Sequence, residues 1–375
     1  MAFRVFFLWK NLGPYHVARM NALAAHAEID LSVIEMTAHD STHPWTREAN
    51  ASFRRVSLSR REHGFFSFWI ILSGLIQILK KERPDMVVFS TYGNPVLFVA
   101  LFFAKIFAGK TVLFSESHAA DKKRFALWEL VKSFFLKLYD CLLAAGKRSR
   151  DYAIQLGYPE NRVCEVGDVV DNAYFSQTAA KMRSQKEEWI RRLLLSCDYF
   201  LYVGRFACEK NLPFLLRAYA KYRALFPQPW ELVLVGSGPQ EQELKQFVRG
   251  NGLGGVKFYP FQPLPDLAAF YAFARAFILP SLSEPWGLVV NEAAACSLPL
   301  LVSNRAGCIP ELIKEGENGF AFDPENENDL AEKMKEFSER ISNLGQFGKR
   351  SYELVSRLTP ETYANRVVRA LSVLR

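Results

Sequence analysis

Two cations stand at the end of an apolar stretch in the second half of the chain. Arg205 and Lys210 follow residues that we predict as a strand, and a helix is predicted to begin at Leu212. Gly204 lets another backbone approach this turn closely. Two fixed positive charges beside a helix N-terminus suit a diphosphate, because the side chains and the helix dipole attract the same anion. The alternative is a solvated loop with two ordinary surface cations.

Two carboxylates occur eight positions apart further along the chain. Glu284 follows a predicted strand, and Glu292 is expected about two turns deeper on a similar face of the next helix. Pro285 is predicted in the first turn of that helix, where its missing N–H costs little. Carboxylates bind sugar and ribose hydroxyls, and the free amides of a helix start bind phosphate. Those amides belong to Gly287, Leu288 and Val289. The alternative is two unrelated surface acids.

Short apolar stretches alternate with longer helical patterns in both halves of the chain. In the first half, strands are predicted at residues 3–9, 30–35, 86–90, 111–115 and 141–145, and helices at 15–27, 65–81, 95–107 and 124–138. In the second half, strands are predicted at 199–205, 231–236, 256–260, 276–280 and 300–303, and helices at 212–225, 240–249, 266–275, 288–296 and 328–340. This alternation indicates parallel sheets covered by helices on both faces.

Two such series predict two facing, Rossmann-like, doubly wound α/β domains with an interdomain cleft at their strand ends. A length of 375 residues accommodates two domains. The polar, strand-free segment 176–196 is expected to hold their junction. We predict an N-terminal domain over 1–180, a C-terminal domain over 181–355, and a helix over 356–375 that returns to the first domain.

The composition is that of a folded protein, with 50% hydrophobic and 23% charged residues. The six cysteines show no CxxC spacing, which favours thiols in a reduced compartment. No signal-peptide pattern is recognised, so we expect a cytoplasmic protein. Residues 63–79 and 86–104 carry no Asp, Glu, Lys or Arg. The first is shorter than a membrane span, and Gly93-Asn94-Pro95 interrupts the second, so neither is predicted to cross a membrane.

Positive charge is concentrated in one segment. Residues 51–150 hold 17 Lys and Arg against 7 Asp and Glu, whereas the whole chain has a net charge of +8. The segment is also rich in Phe, Leu, Ile and Trp, and basic apolar surfaces suit the inner face of an anionic membrane. Nucleic acid is not expected as a partner, because the basic residues alternate with aliphatic ones. The alternative is that the apolar positions are core faces of helices.

The second half resembles the retaining GT-B glycosyltransferases of family 4, also called glycosyl transferases group 1. The matching motifs, in order, are Gly204-Arg205, Lys210-Asn211, the run LVGSGP that ends at Pro239, Pro280-Ser281 with the Glu284–Glu292 pair, and Asn318-Gly319. They cover about residues 199–330. The resemblance implies transfer of a sugar, with retention, from a UDP- or GDP-linked donor to a hydroxyl of a saccharide or lipid-linked acceptor in polysaccharide or glycolipid assembly. It implies that the N-terminal domain binds the acceptor and the C-terminal domain the donor.

The resemblance also implies roles for the charged residues. Arg205 and Lys210 are expected to bind the diphosphate and to stabilise charge on the leaving group. Glu284 is expected to hold hydroxyls of the transferred sugar, and Glu292 the ribose. The backbone donors are expected from Gly204, Gly287, Leu288 and Val289.

The first half matches the family less closely. Family members usually carry a glycine-rich loop after the first strand, and Gly13 is the single glycine in that place. His118 follows a predicted strand where the family often has a histidine close to the reacting centre. It is expected to position the acceptor or the reacting sugar, and the alternative is an ordinary hydrogen-bonded loop histidine. Asp121 is a further candidate in this stretch, and Lys122-Lys123-Arg124 could meet an acidic or phosphorylated acceptor.

No Asp-x-Asp motif or His/Cys cluster with ligand spacing occurs in the sequence. We therefore expect catalysis with no metal and no separate cofactor, in which Arg205 and Lys210 offset the developing charge. Two alternatives stay open. A nucleotide-sugar epimerase of the same fold would isomerise the sugar without an acceptor, and a non-catalytic scaffold would have the fold without the activity.

Overall fold

A computed structural model describes residues 2–38, 50–59, 65–121, 124–195 and 198–374. The chain divides into two compact units. The first unit comprises Met1–Ala119, Arg124–Val170 and Leu358–Arg375, and the second comprises Ala120–Lys123 and Asp171–Arg357. Each is a parallel sheet with helices, so the prediction of two doubly wound α/β units is confirmed.

The first unit contains a seven-stranded sheet in the order β3-β2-β1-β4-β5-β6-β7. Its strands are β1 (Phe3–Trp9), β2 (Ile29–Thr37), β3 (Arg54–Ser59), β4 (Met86–Phe89), β5 (Lys110–Ser115), β6 (Cys141–Ala144) and β7 (Val163–Glu165). The central strands are continuous apolar runs because helices cover both sheet faces. The connecting helices are α1 (Pro14–Ala24), α2 (Phe65–Glu82), α3 (Pro95–Phe107), α4 (Ala126–Leu136) and α5 (Lys147–Gln155).

The second unit contains a six-stranded sheet in the order β10-β9-β8-β11-β12-β13. Its strands are β8 (Tyr199–Val203), β9 (Glu231–Val235), β10 (Val256–Tyr259), β11 (Ala276–Leu279), β12 (Leu300–Ser303) and β13 (Gly319–Phe322). Its helices are α6 (Asn172–Ser184), α7 (Lys186–Leu193), α8 (Leu212–Leu225), α9 (Glu241–Gly250), α10 (Leu264–Phe273), α11 (Leu288–Ala295), α12 (Ile309–Leu312), α13 (Glu327–Glu339) and α14 (Leu344–Val355).

The two units divide earlier in the sequence than predicted. The boundary lies between Val170 and Asp171, not at residue 180, because α6 packs against α10 and α11 of the second unit. The Arg183 side chain fixes this docking by donating to the carbonyls of Ala272 at 3.0 Å and Cys296 at 2.6 Å. The polar, strand-free segment 176–196, which was predicted to hold the junction, therefore belongs largely to the helices α6 and α7 of the second unit.

The last helix, α15 (Pro360–Ser372), belongs to the first unit and packs against α1. Thr359 caps it by accepting a hydrogen bond from the amide of Thr362 at 3.2 Å, and Pro360 occupies its first position. The second unit ends at Arg357, two residues beyond the predicted limit of 355.

Five of the six cysteines lie among the described residues, and all five are free thiols. Three are buried, whereas Cys164 is half-buried and Cys208 is exposed. Cys197 lies outside the described residues. No helix in the described part of the chain is both long and apolar enough to span a membrane.

Candidate functional site

The carboxyl ends of β8 and β11 mark the point where the strand order of the second sheet reverses. β8 and β11 are neighbours in the sheet, although β9 and β10 separate them in sequence. Ligands of doubly wound sheets bind outside the strand ends at such a reversal, since the loops there run in opposite directions and leave a crevice. Gly204 and Arg205 follow β8, and Glu284 lies beyond the end of β11. The topology therefore brings the two predicted motifs to one place.

A direct ion pair joins the two motifs. Lys210 Nζ lies 2.6 Å from Glu284 Oε2, and Ser281 Oγ donates to the same oxygen at 2.9 Å. Lys210 is 20% exposed and Glu284 is 9% exposed by side chain, so the pair is largely shielded from water. The amide of Leu282 also donates to the carbonyl of Glu209 at 2.9 Å, which ties the two loops together through their backbones.

Arg205 lies on the same loop as Lys210 and is open to solvent. Its side chain is 41% exposed, and its guanidinium is 4.0 Å from Glu209. The phenol of Tyr202 holds the loop by donating to the Arg205 carbonyl at 2.8 Å. Burial raises the pKa of Tyr202 well above its ordinary value, so the phenol stays protonated and keeps donating. A positive side chain therefore stands on a fixed backbone at the mouth of the site.

Glycines allow the loops after β8 and β9 to touch. Gly204 has a φ of 152° and Gly236 a φ of 147°. A Cβ on Gly236 would lie 1.9 Å from the carbonyl oxygen of Gly204, which is a backbone atom that cannot move aside. The amide of Gly204 donates to the Val235 carbonyl at 3.0 Å, which continues the sheet into the loop. The close backbone approach therefore depends on the missing side chain of Gly236, whereas a Cβ on Gly204 would lie 2.8 Å from the hydroxyl of Tyr202.

The helix start beside Glu284 differs from the prediction. α11 begins at Leu288, with Gly287 as its N-cap at a φ of 105°, so Pro285 precedes the helix and does not lie in its first turn. The positive φ of Gly287, which glycine adopts without strain, turns the chain so that the helix begins at the next residue, Leu288. The first amides of α11 belong to Leu288 and Val289, which have no intrahelical acceptor by the geometry of a helix start.

The turn after β12 packs against the same loop. The amide of Gly307 donates to the Glu284 carbonyl at 3.0 Å, and a Cβ on Gly307 would lie 1.9 Å from the Pro285 carbonyl oxygen. Glu284 and Ala306 also form an isolated parallel bridge. The loops after β8 and β12 therefore both hold the segment that carries Glu284.

Glu292 lies on α11 and is more deeply buried than Glu284. It is 0% exposed, and the hydroxyl of Tyr271 on α10 donates to its Oε2 at 2.6 Å. The helix begins only at Leu288, so the eight residues from Glu284 to Glu292 include a non-helical turn and are not two helical turns. Glu292 is thus enclosed by its own unit in this structure, and Tyr271 is a partner that the sequence reasoning missed.

Gly13 and His118 belong to the first unit. Gly13 is the N-cap of α1, and its amide donates to Nδ1 of His16 at 3.0 Å. His118 follows β5, is 1% exposed, and accepts a hydrogen bond from Arg124 at its carbonyl. Asp121 groups with the second unit, where Ser283 Oγ donates to it at 2.7 Å. Lys122 and Lys123 lie outside the described residues.

Seven of the ten predicted residues therefore gather at the strand ends of the second sheet: Gly204, Arg205, Lys210, Glu284, Gly287, Leu288 and Val289. Among the described residues, no group of three or more His, Cys, Asp or Glu side chains is placed to hold a metal ion.

Residues 185–354 match the sequence profile described as glycosyl transferases group 1. The O-antigen chain mannosyltransferase B of Escherichia coli is 30% identical over 212 residues, which is 56% of this chain and 54% of that protein. The chain thus spans about half the length of that relative. The glycogen synthase of Mycobacterium tuberculosis is 26% identical over 348 residues, which cover 84% of this chain and 79% of the synthase.

Solved structures agree in fold over nearly the whole chain. HepE from Anabaena, solved in complex with UDP and glucose, has a TM-score of 0.76 at 18% identity and covers 99% of this chain and 100% of its own. Sucrose-phosphate synthase from Thermosynechococcus elongatus has a TM-score of 0.78 at 21% identity, with 99% of each chain covered. The profile match spans the loops that carry Arg205, Lys210 and Glu284, so the second unit is similar to the glycosyl transferases group 1 family.

Proposed function

We propose that this protein transfers a sugar from a nucleoside diphosphate to a hydroxyl of an acceptor. The observation that carries the proposal is the Lys210–Glu284 ion pair, which lies where the strand order of the second sheet reverses and beside the start of α11. A cation and a carboxylate at that point match the two parts of the donor, an anionic diphosphate and a sugar with several hydroxyls.

The diphosphate is proposed to bind Arg205 and Lys210. Both cations and the first amides of α11 attract an anion, and the solvent-open guanidinium of Arg205 is free to reach it. When the donor enters, Lys210 exchanges part of its contact with Glu284 for the phosphate. Glu284 then accepts hydrogen bonds from the transferred sugar while Ser281 continues to hold its Oε2.

In the proposed reaction the bond between the anomeric carbon and the diphosphate oxygen breaks, and its electron pair stays on the diphosphate. The acceptor oxygen forms the new bond to the anomeric carbon and passes its proton to the departing diphosphate oxygen. Arg205 and Lys210 stabilise the charge that grows on the leaving group, without a divalent metal or a separate cofactor. The similarity of the second unit to the glycosyl transferases group 1 family supports retention of configuration and a hexosyl group.

UDP- and GDP-linked sugars are both proposed as donors. Glu292 is proposed to bind the ribose only after the buried contact between its carboxylate and the Tyr271 hydroxyl opens. Gly13 and His118 are proposed to contribute from the first unit, Gly13 to the donor and His118 to the acceptor or reacting sugar. A saccharide or lipid-linked acceptor in polysaccharide or glycolipid assembly fits the relatives, and peripheral contact with an anionic membrane fits the basic segment 51–150.

The proposal is tested first by thermal unfolding in the presence of a panel of nucleotide sugars. A bound donor raises the unfolding temperature, and we expect at least one UDP- or GDP-sugar to do so. Release of the nucleoside diphosphate is then followed with and without candidate acceptors. Acceptor-dependent release supports a transferase, isomerisation of the sugar without acceptor identifies an epimerase, and binding of no nucleotide sugar rejects the proposal.

A further inference from the structure

The outer helices of the first unit expose large apolar side chains. The set, which we call the α3–α4 face, lies on α3 and α4 with exposures from 49% to 72%: Phe102, Ile106, Leu127, Trp128, Leu130 and Phe134. Single exposed apolar residues are ordinary, but a cluster of this size on two neighbouring helices marks an interaction surface.

α4 packs on the first unit in an inverted orientation. Only Leu136 among its eleven residues is buried. The polar residues of the helix face inward instead: the phenol of Tyr152 on α5 donates to Glu129 Oε2 at 2.5 Å, and Lys132 Nζ donates to Glu129 Oε1 at 2.9 Å. Arg124 lies 4.6 Å from the centre of the Tyr152 ring. A helix held by its polar side presents its apolar side outward.

Aromatic contacts make the face continuous across both helices. Phe98 of α3 lies 4.7 Å from Phe135 of α4 between ring centres. Phe98 also contacts Phe102 at 5.4 Å, and Phe135 contacts Phe134 at 5.7 Å, so a chain of rings joins the exposed ends. The two helices therefore present one surface.

Positive charge flanks this surface. Lys105 lies between Phe102 and Ile106 on α3 and is 39% exposed, with Asp140 as its partner at 3.0 Å. Lys137 is exposed at the end of α4. The segment 51–150, which contains both helices, carries 17 basic residues against 7 acidic ones. An apolar surface with a basic border matches an anionic bilayer, which offers hydrocarbon beneath negative headgroups.

We propose that the α3–α4 face inserts into the headgroup region of an anionic lipid bilayer, with Leu127, Trp128 and Phe134 entering the hydrocarbon boundary. This inference deepens the proposed function and rests on its membrane contact. It places the acceptor-binding unit against the surface where a lipid-linked acceptor is held.

The test is flotation of the full chain with vesicles of phosphatidylcholine and phosphatidylglycerol in equal parts, and with vesicles of phosphatidylcholine alone. We expect the protein to float with the anionic vesicles at low salt and to bind the neutral ones more weakly. The variant L127S/F134S is expected to lose at least about tenfold in partitioning, because two exposed apolar side chains leave the interface. The matched control is L225S/F261S, which removes two isolated side chains of the second unit with 44% and 45% exposure.

Failure of the wild type to float overturns the inference, and so does equal flotation of both double variants. Self-association that L127S/F134S abolishes, without flotation, identifies the face as a contact between copies of the chain and overturns it as well. Lys210→Ala keeps the two proposals apart, since it is expected to float like the wild type. Normal flotation with no nucleotide-sugar binding rejects only the transferase, whereas donor binding without flotation rejects only the membrane face.

Discussion

Two ion pairs of similar geometry have different surroundings in the two units. Lys210 and Glu284 lie 2.6 Å apart with the lysine 20% exposed, and Lys132 and Glu129 lie 2.9 Å apart with the lysine 22% exposed. The first pair lies at the strand ends of a sheet beside a helix start, where an anion can replace one partner. The second pair lies within α4, and both of its side chains hydrogen-bond the phenol of Tyr152 on α5. The surroundings of an ion pair, and not its length, therefore indicate whether it binds a ligand.

The largest expected difference between the two pairs is in catalysis. Lys210→Ala and Glu284→Ala should each lower turnover by about a hundredfold to a thousandfold, because each removes a group that contacts the donor in the transition state. Steady-state kinetics measure this, with the donor that the thermal-unfolding panel selects and an acceptor that supports release of the nucleoside diphosphate. Lys257→Ala is the matched control, since Lys257 pairs with Glu231 at 2.8 Å toward the amino end of the same sheet.

Near-normal turnover of both Lys210→Ala and Glu284→Ala, with unchanged unfolding temperatures, would refute the site assignment. Equal losses in Lys257→Ala would show that any broken ion pair of the second unit impairs activity.

The backbone that carries the first pair should tolerate little change. Gly236→Ala places a Cβ against the Gly204 carbonyl at a positive φ, and we expect a loss of about 3 kcal/mol or more in the free energy of unfolding. Gly345→Ala, at an exposed helical position with open space around the Cβ, should gain about 0.5–1 kcal/mol. Denaturant unfolding of the two variants compares them directly, and a stable Gly236→Ala variant would show that the loops do not touch.

The second pair should affect stability and its pH dependence but not turnover. Burial raises the pKa of Glu129, but the hydrogen bonds from Tyr152 and Lys132 outweigh it, so the folded pKa lies below its ordinary value. The stabilisation is therefore present above the ordinary pKa of a glutamate and is lost as the pH falls through the lowered folded value. Glu129→Gln should cost about 1 kcal/mol at neutral pH and less in acid.

Unfolding free energies of the wild type and Glu129→Gln over a pH series measure this difference. A gap that widens toward acid pH would contradict the assigned contacts, and a loss of turnover in Glu129→Gln with a soluble acceptor would remove the contrast between the two pairs. Tyr152→Phe is the companion variant, because it deletes one hydrogen bond and leaves both charges in place.

The strands of both sheets were predictable wherever they were buried and apolar. β1 and β12 have the predicted limits, because runs such as Phe3–Trp9 leave no other interpretation. β3, β7 and β13 were missed: Arg54–Ser59 alternates polar residues at a sheet edge, Val163–Glu165 is three residues long, and Gly319–Phe322 begins with glycine. These three edge strands form because they pair with β2, β6 and β12, and their own residues carry no clear strand pattern.

The site was predictable where motif and topology agreed, as for Arg205, Lys210 and Glu284. Glu292 was less predictable from the sequence. The eight residues between Glu284 and Glu292 were interpreted as two helical turns, although the helix begins only at Leu288. The inward network of α4 was hidden for a related reason. Its apolar composition suits a core-facing helix as well as a membrane-facing one, and the phenol of Tyr152 that holds its polar side lies on another helix. Contacts between distant parts of the chain decided both cases.

The most direct test of the central claim is isothermal titration of the wild type and Lys210→Ala with a nucleoside diphosphate and with the matching nucleoside, for uridine and for guanosine. The site at the strand ends of the second sheet predicts that one diphosphate binds more tightly than its nucleoside, and that Lys210→Ala loses most of this difference. Equal affinity for nucleoside and diphosphate, or a preference for the diphosphate that survives in Lys210→Ala, would contradict it.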